Sequence, residues 1–210
     1  MLQILKLDDS PFALAQVYTF IREVYSDRLA EGIDFWLSKC SFEEYSEKVK
    51  NDKKIIFVAF VPDSNELLGT AALTLRRDKK GHLYGGMSNC AVRKSCQGKG
   101  VGSKLLETVK VVAIAEKCQY LKSTTAVNAI SSVKWHLKNG YKKCGLGSAT
   151  NSDYYSYVFK MPLKNFDYLY FNGGGYRLDY CLQWCKTKFF FKQDGKRTWL
   201  GMLVKRIIGR

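Results

Sequence analysis

The pattern of hydrophobic and polar residues in the first half of the chain predicts a strand, two helices and three further strands. Residues 1–7 alternate loosely and predict a strand, and the run Asp-Ser-Pro at 9–11 provides a typical helix start. Residues 42–49 predict a second helix, because Ser41 and Glu44 have the spacing of a capping box. Three apolar-rich segments separated by turn residues then predict consecutive strands: 54–61, 67–76 and 83–92.

The second half of the pattern alternates between helices and strands. A helix after residue 102 has one apolar face, and residues 119–127 predict a strand. Asn128 is the expected N-cap of another helix, which ends at Asn139-Gly140, where glycine is the expected residue after a helix end. Two more strands follow, at 141–145 and 154–161. The order β α α β β β α β α β β predicts a mixed α/β fold rather than a doubly wound sheet.

Positive charge dominates the composition and is uneven along the chain. The 210 residues include 34 Lys and Arg against 19 Asp and Glu, a formal net charge of +15 that indicates an anionic partner. The last 51 residues carry eleven basic and three acidic residues, a net +8. This shift predicts a boundary between a domain at 1–163 and a basic, aromatic-rich extension at 164–210.

Cysteine usage and hydropathy favour a cytoplasmic location, with peripheral membrane attachment as the alternative. The seven cysteines are odd in number and scattered, which is not typical of a secreted disulfide scaffold. The start of the chain lacks the order of a signal peptide, and the longest mostly apolar stretch, 109–115, is too short to span a membrane. Cys181 and Cys185 lack enough neighbouring ligands for a zinc site, so no metal is expected.

The segment at 97–103, Gln-Gly-Lys-Gly-Val-Gly-Ser, joins a predicted strand directly to a predicted helix. Alternating glycines allow a tight turn whose amides converge, and the following helix adds free N–H groups and the positive end of its dipole. These features predict a phosphate-binding loop. The glycine spacing fits neither the Walker loop nor the dinucleotide fingerprint.

The remaining pattern, Gln97-x-x-Gly100-x-Gly102, resembles the acetyl-CoA loop of the GNAT N-acetyltransferase superfamily. The strand before it, the helix after it, Asn128 and the later Asn139-Gly140-Tyr141 also resemble that family's order of elements, over about residues 1–162. The resemblance implies a GNAT-like α/β fold with a mostly antiparallel sheet and flanking helices, plus a C-terminal helical extension. It also implies acetyl-CoA as cosubstrate and an amine as acceptor.

Site residues follow from the same resemblance. The pantetheine arm is expected to pair with the backbone of Cys90, Ala91 and Val92. The pyrophosphate is expected on backbone N–H groups of the loop: Gln97, Gly98, Lys99, Gly100, Val101, Gly102 and Ser103. Asn128, Ser131 and Ser132 are expected along the CoA arm, and for Asn128 the alternative is a plain N-cap.

The catalytic residues are less defined by the pattern. The family commonly has a tyrosine four residues before the glycine of its GF motif, and this chain has His136 there, which can donate a proton near neutral pH. The alternative is a pocket-lining histidine. The family's glutamate on the strand before the loop is missing, so Ser88 or Asn89 is expected to hold a water that relays the proton. Glu43, Glu44 and Glu66 are further candidates, for which a solvating role is the alternative.

The sequence leaves the acceptor and the extension open. The expected acceptor is a small amine such as an amino sugar, amino acid or polyamine, and a protein amine is the alternative. Residues 176–191 and 199–208 predict amphipathic helices that dock on the enzyme or a second subunit, contact a membrane surface, or contact nucleic acid. A homodimer or membrane contact is therefore an expected partner class, whereas nothing in the chain resembles a nucleic-acid module. A binding module with little catalysis is the competing function.

Overall fold

The computed structural model describes residues 1–30, 36–148, 155–163, 199–200 and 202–203. The helices are α1 (Leu14–Ala30), α2 (Trp36–Lys39), α3 (Phe42–Asn51), α4 (Val101–Ala115) and α5 (Ile130–Lys138). The strands are β1 (Gln3–Lys6), β2 (Ile55–Val61), β3 (Glu66–Arg77), β4 (Leu83–Val92), β5 (Tyr120–Ala126), β6 (Lys142–Ser148) and β7 (Tyr155–Pro162). None of the helices in these ranges is long and apolar enough to cross a membrane. Most of the predicted extension lies outside the described residues.

The hydrogen-bonded strand order is β1-β2-β3-β4-β5-β7-β6. The pairs β1–β2, β2–β3, β3–β4 and β6–β7 are antiparallel, and β4–β5 is parallel. The predicted fold class, a mixed and mostly antiparallel sheet with flanking helices, is confirmed. The described chain forms two compact units, the first with residues 1–27, 37–122 and 163, the second with 28–30, 36, 123–148, 155–162, 199–200 and 202–203.

The first unit has a core between α4 and the strands β2 to β4. Leu105, Leu106 and Val109 of α4 are fully or almost fully buried, as is Leu73 of β3. A Cβ atom built on Gly69 of β3 would lie 3.0–3.1 Å from side-chain atoms of α4 and a backbone oxygen of β4. The absence of a side chain at this glycine therefore lets α4 pack closely on the sheet. This packing holds the start of α4 firmly, and the glycine loop leads into that start.

The described part of the second unit has buried residues around α5 and the last two strands. Its most buried aromatic residues are Tyr141, just after α5, and Phe159 on β7. Gly140 has a φ of +86°, and the amide of Tyr141 donates to the carbonyl of His136, so glycine ends the helix as the sequence predicts.

Two helix starts show where sequence patterns succeed and fail. The capping box of α3 is confirmed, because the Ser41 amide donates to Glu44 Oε2 (2.8 Å) and the Glu44 amide donates to Ser41 Oγ (3.2 Å). The predicted start of α1 near residue 10 is wrong. Ser10 Oγ donates to the carbonyl of Leu7 in a 3-10 turn, and the helix begins at Leu14.

The carboxylate of Asp78 stabilises the turn between β3 and β4 through several hydrogen bonds. The carboxylate accepts hydrogen bonds from the amides of Lys80 and His82, and it also contacts the His82 ring and the Tyr120 hydroxyl. Burial alone would raise the pKa of Asp78, but these hydrogen bonds outweigh it and lower the pKa to about 2.

Asp78 should therefore stabilise the fold in its ionised form only. Because its folded pKa is depressed, its contribution is complete above the ordinary value near 3.8 and is lost as pH falls towards about 2. We expect Asp78→Asn to be less stable than wild type at pH 7, with the difference shrinking between pH 4 and 2. Urea unfolding across this range measures it, and a difference independent of pH would contradict the prediction.

Candidate active site

Strand β4 contains a bulge that separates its two halves. Ala91 faces Thr70 of β3 and Ser88 faces Ala72, so Asn89 and Cys90 together stand opposite a single β3 residue. Asn89 has a φ of +51°, a left-handed conformation that asparagine tolerates better than most residues. The ladder between β4 and β5 joins Tyr84–Gly86 to Tyr120–Lys122. A bulge bends its strand and re-aims backbone groups, a common device beside active sites.

Two tyrosines that the sequence did not single out contact this bulge. The Tyr25 hydroxyl of α1 donates to the carbonyl oxygen of Cys90 at 2.8 Å. Asn89 Nδ2 donates to the Tyr45 hydroxyl of α3 at 3.4 Å. Burial raises the pKa of Tyr45 to about 12, so its phenol is protonated at neutral pH and cannot serve as a base. These contacts fasten α1 and α3 to the candidate CoA-binding strand.

The glycine loop follows β4 and is anchored by Gln97, whose Nε2 donates to the carbonyl of Val92 at 3.0 Å. Gly98 and Gly100 have φ values of +78° and +86°, so both positions need glycine for backbone reasons. A Cβ built on either would have no atom within 4 Å. The space beside the loop is therefore open to a ligand.

Some of the loop amides already donate a hydrogen bond within the protein, and others do not. The Gln97 amide donates to the Lys94 carbonyl (3.3 Å) and the Lys99 amide to the Cys96 carbonyl (3.4 Å). Helix α4 starts after Gly100 without a side-chain cap. Within the described ranges, four loop amides donate to no protein acceptor: those of Gly98, Gly100, Val101 and Gly102. Such amides at a helix N-terminus favour a bound anion.

In the second unit, Asn128 does not cap α5. The N-cap is Ala129, and it makes no side-chain capping hydrogen bond. Asn128 Oδ1 is buried and, within the described part of the chain, has no hydrogen-bond partner. Because an unpaired buried polar atom is costly, this oxygen is more consistent with a ligand contact than with a capping role. Of its expected companions, Ser131 is exposed and Ser132 Oγ accepts from the Thr125 hydroxyl at 2.9 Å.

His136 is buried, with 5% of its surface exposed. Its ring stacks on Phe159 with centroids 4.5 Å apart, and Trp135 and Tyr141 meet it edge-on. Nδ1 lies 2.7 Å from the carbonyl of Ser132 and Nε2 lies 3.0 Å from Ser123 Oγ. The ring is thus held in one orientation, and Ser123, which the sequence did not single out, is a side-chain partner of it.

The candidate carboxylates are engaged in local contacts. Glu44 belongs to the capping box of α3, Glu43 is exposed, and Glu66 pairs with Arg93 at 3.5 Å on the surface. Ser88 is half-buried on β4 next to Asn89. The side chains shown to contact one another or the backbone at the bulge include the Asn89 amide and the hydroxyls of Tyr25 and Tyr45.

A comparison of the sequence with models of protein families identifies the family of this chain. The model of the acetyltransferase (GNAT) family matches residues 19–141, more than half of the chain, a range that includes the bulge, the glycine loop and His136. The chain belongs to the GNAT acetyltransferase family. The protein is therefore an N-acetyltransferase of the acyl-CoA-dependent kind. A search of curated proteins found no significant match.

Solved GNAT structures share the fold at low sequence identity. A GNAT-family acetyltransferase from Staphylococcus aureus MU50 is 16% identical with a TM-score of 0.60, over 78% of this chain and 100% of that one. A chain of the NatC complex bound to Gag peptide and CoA is 15% identical, TM-score 0.61, over 78% and 99%. Ribosomal-protein-alanine N-acetyltransferase from Brucella melitensis is 18% identical, TM-score 0.57, over 77% and 99%.

Proposed function

We propose that this GNAT protein transfers the acetyl group of acetyl-CoA to a primary amine of a small molecule, by direct attack in a ternary complex. The observation that carries the proposal is the glycine loop, where amides without protein acceptors lie at the start of α4 beside open space. Lys99 and Lys104 add positive charge there. This combination suits the pyrophosphate of CoA.

The cofactor contacts proposed from the family resemblance fit the geometry of each unit. In the first unit, the pantetheine arm would pair with the backbone of Cys90, Ala91 and Val92. Two carbonyls in this stretch already accept side-chain hydrogen bonds, from Tyr25 at Cys90 and from Gln97 at Val92. The contribution of the stretch would therefore come mainly from its amides. In the second unit, the buried Oδ1 of Asn128 would accept a hydrogen bond from the arm.

The chemistry needs a neutral amine and a protonated leaving group. An ammonium has no lone pair, so a proton must leave before attack, and the departing thiolate must gain one. At the bulge, Ser88 and Asn89 would hold a water that accepts the first proton. His136 is the proposed source of the second.

The acceptor is proposed to be a small amine, such as an amino sugar, an amino acid or a polyamine. The NatC neighbour was solved with a peptide and the Brucella enzyme is named for a protein substrate, so a peptide α-amine is the alternative acceptor. The homodimer or membrane contact expected of the extension is separate from this chemistry.

The test is release of the CoA thiol from acetyl-CoA over a panel of amino sugars, amino acids, polyamines and short peptides. Thiol release that depends on one amine class, with mass spectrometry of the acetylated product, would support the proposal and identify the acceptor. Tight CoA binding without amine-dependent thiol release from any of them would overturn it in favour of a binding module.

Asn128→Ala should weaken CoA binding without loosening the fold. The buried Oδ1 has no protein partner to lose, so we expect the dissociation constant for CoA to rise roughly three- to tenfold, the value of one hydrogen bond. Isothermal titration calorimetry measures the change. Asn139→Ala is the control, because that side chain donates to the carbonyl of Trp135 at the far end of α5. Equal effects of the two substitutions on CoA affinity would contradict the assignment.

A further inference from the structure

The contacts of His136 determine which ring nitrogen carries the proton. Nδ1 lies 2.7 Å from the backbone carbonyl of Ser132, and a carbonyl oxygen only accepts hydrogen bonds. Nδ1 must therefore be protonated. In the neutral ring Nε2 then carries the lone pair, so the Ser123 hydroxyl, 3.0 Å away, donates to it.

The same contacts show that His136 is more buried than Ser123. His136 is buried, its face is covered by Phe159, and Nε2 points at Ser123 Oγ. Ser123 is half-buried and directly follows Lys122, the last β5 residue in the ladder with β4. Ser123 is thus the less buried member of the pair, and it lies where the pairing of β5 with β4 ends.

We propose that Ser123 and His136 form a proton relay, in which the Ser123 hydroxyl meets the reacting atoms and His136 holds a proton between two steps. The neutral amine, whose ammonium proton has gone to the proposed water at Ser88 and Asn89, attacks the thioester carbonyl carbon. As the C–N bond forms, one of its two remaining N–H protons passes to Ser123 Oγ, and the hydroxyl proton moves to Nε2. When the C–S bond breaks, the thiolate takes a proton from Ser123 Oγ, which recovers one from Nε2. The products are the amide and the CoA thiol, and both side chains return to their starting forms.

The relay rests on the proposed acetyl transfer. Substitutions of Ser123 and of His136 test the role of each side chain separately. Ser123→Ala removes the hydroxyl that meets the substrate. His136→Gln keeps an acceptor for the Ser123 hydroxyl but cannot hold a proton. We expect each to lower kcat at least tenfold with KM for acetyl-CoA within twofold, and the double variant to lose no more than either single one. Ser123→Thr, which keeps a hydroxyl, should restore most of the rate.

The control is Thr124→Ala. Thr124 is exposed, and because side chains alternate along a strand it points away from the face that carries Ser123. Its kcat should match wild type. An unchanged kcat in Ser123→Ala, or equal losses in Ser123→Ala and Thr124→Ala, would overturn the relay while leaving acetyl transfer intact.

A measurement without substrate tests the pairing itself. The chain has two histidines, so the His82→Gln variant labelled with ¹⁵N-histidine reports the His136 ring alone. We expect nitrogen NMR to show a neutral ring protonated at Nδ1, with an Nε2 shift that changes in Ser123→Ala. A ring protonated at Nε2 would overturn the relay. If the ring is protonated at Nδ1 as expected but the enzyme releases no thiol with any amine, the proposed function is wrong. The relay, which depends on it, is then also wrong.

Discussion

Replacing Gly100 by alanine is expected to lower the affinity for CoA about tenfold or more, far beyond its effect on folding. Gly100 has a φ of +86°, which costs an L-residue about 1–2 kcal/mol. The added methyl group would also enter space that contains no protein atom within 4 Å. If that space receives the pyrophosphate, the methyl group blocks the approach of the ligand to the loop amides.

Gly81 provides a matched control for the cost of backbone strain. Its φ is +83°, and a Cβ there also meets nothing within 4 Å, but it lies in the turn between β3 and β4. Gly81→Ala and Gly100→Ala should therefore lower the melting temperature by similar amounts, while only Gly100→Ala weakens CoA binding in calorimetry. Unchanged CoA affinity in Gly100→Ala would remove the loop from the site.

Replacing Gly85 by alanine is expected to destabilise the first unit by about 1–3 kcal/mol. A Cβ at Gly85 would lie 2.7 Å from Leu121 Cδ2 and 2.7 Å from Leu73 Cδ1. Both leucines are fully buried, so neither side chain can swing out to make room. The strain would fall on β4 where it pairs with β5.

The neighbouring Gly86 is the control in the same ladder. A Cβ there would meet its nearest atom, the carbonyl oxygen of Thr74, at 3.5 Å, an ordinary contact. Gly86→Ala should be nearly neutral, because the contact is tolerated and alanine has less conformational entropy to lose. Chemical unfolding of both variants measures the difference, and equal stabilities would contradict this account of the packing.

Local patterns were enough to predict most of the fold. The capping box at Ser41, the glycine that ends α5 and the alternation of the hairpins depend on residues within a few positions of each other. The predicted start of α1 was wrong because residues 9–11 suit a turn as well as a helix start. Ser10 uses its hydroxyl in a 3-10 turn, and the helix starts later. The short helix α2 has no repeated apolar spacing to predict it.

The site was harder to predict because its contacts join distant residues. The contact of Tyr25 with Cys90 spans 65 residues, and the contact of Asn89 with Tyr45 spans 44. Ser123 and His136 are 13 residues apart on different elements. No spacing rule in a single sequence brings such pairs together. The expected contact of Asn128 with the CoA arm stays a prediction, and its capping alternative was wrong because the helix starts one residue later than a cap at 128 requires.

A loop that recognises its ligand through main-chain amides has a consequence for ancestry. Because the amides of Gly98, Gly100, Val101 and Gly102 belong to the backbone, most side chains in such a loop are free to drift over evolutionary time. Proteins can then keep a similar fold at low sequence identity, and two of the solved structures share the fold with this chain at 20% and 14% identity. For a loop of this kind, a comparison of structures detects the shared fold where pairwise sequence identity is too low to do so.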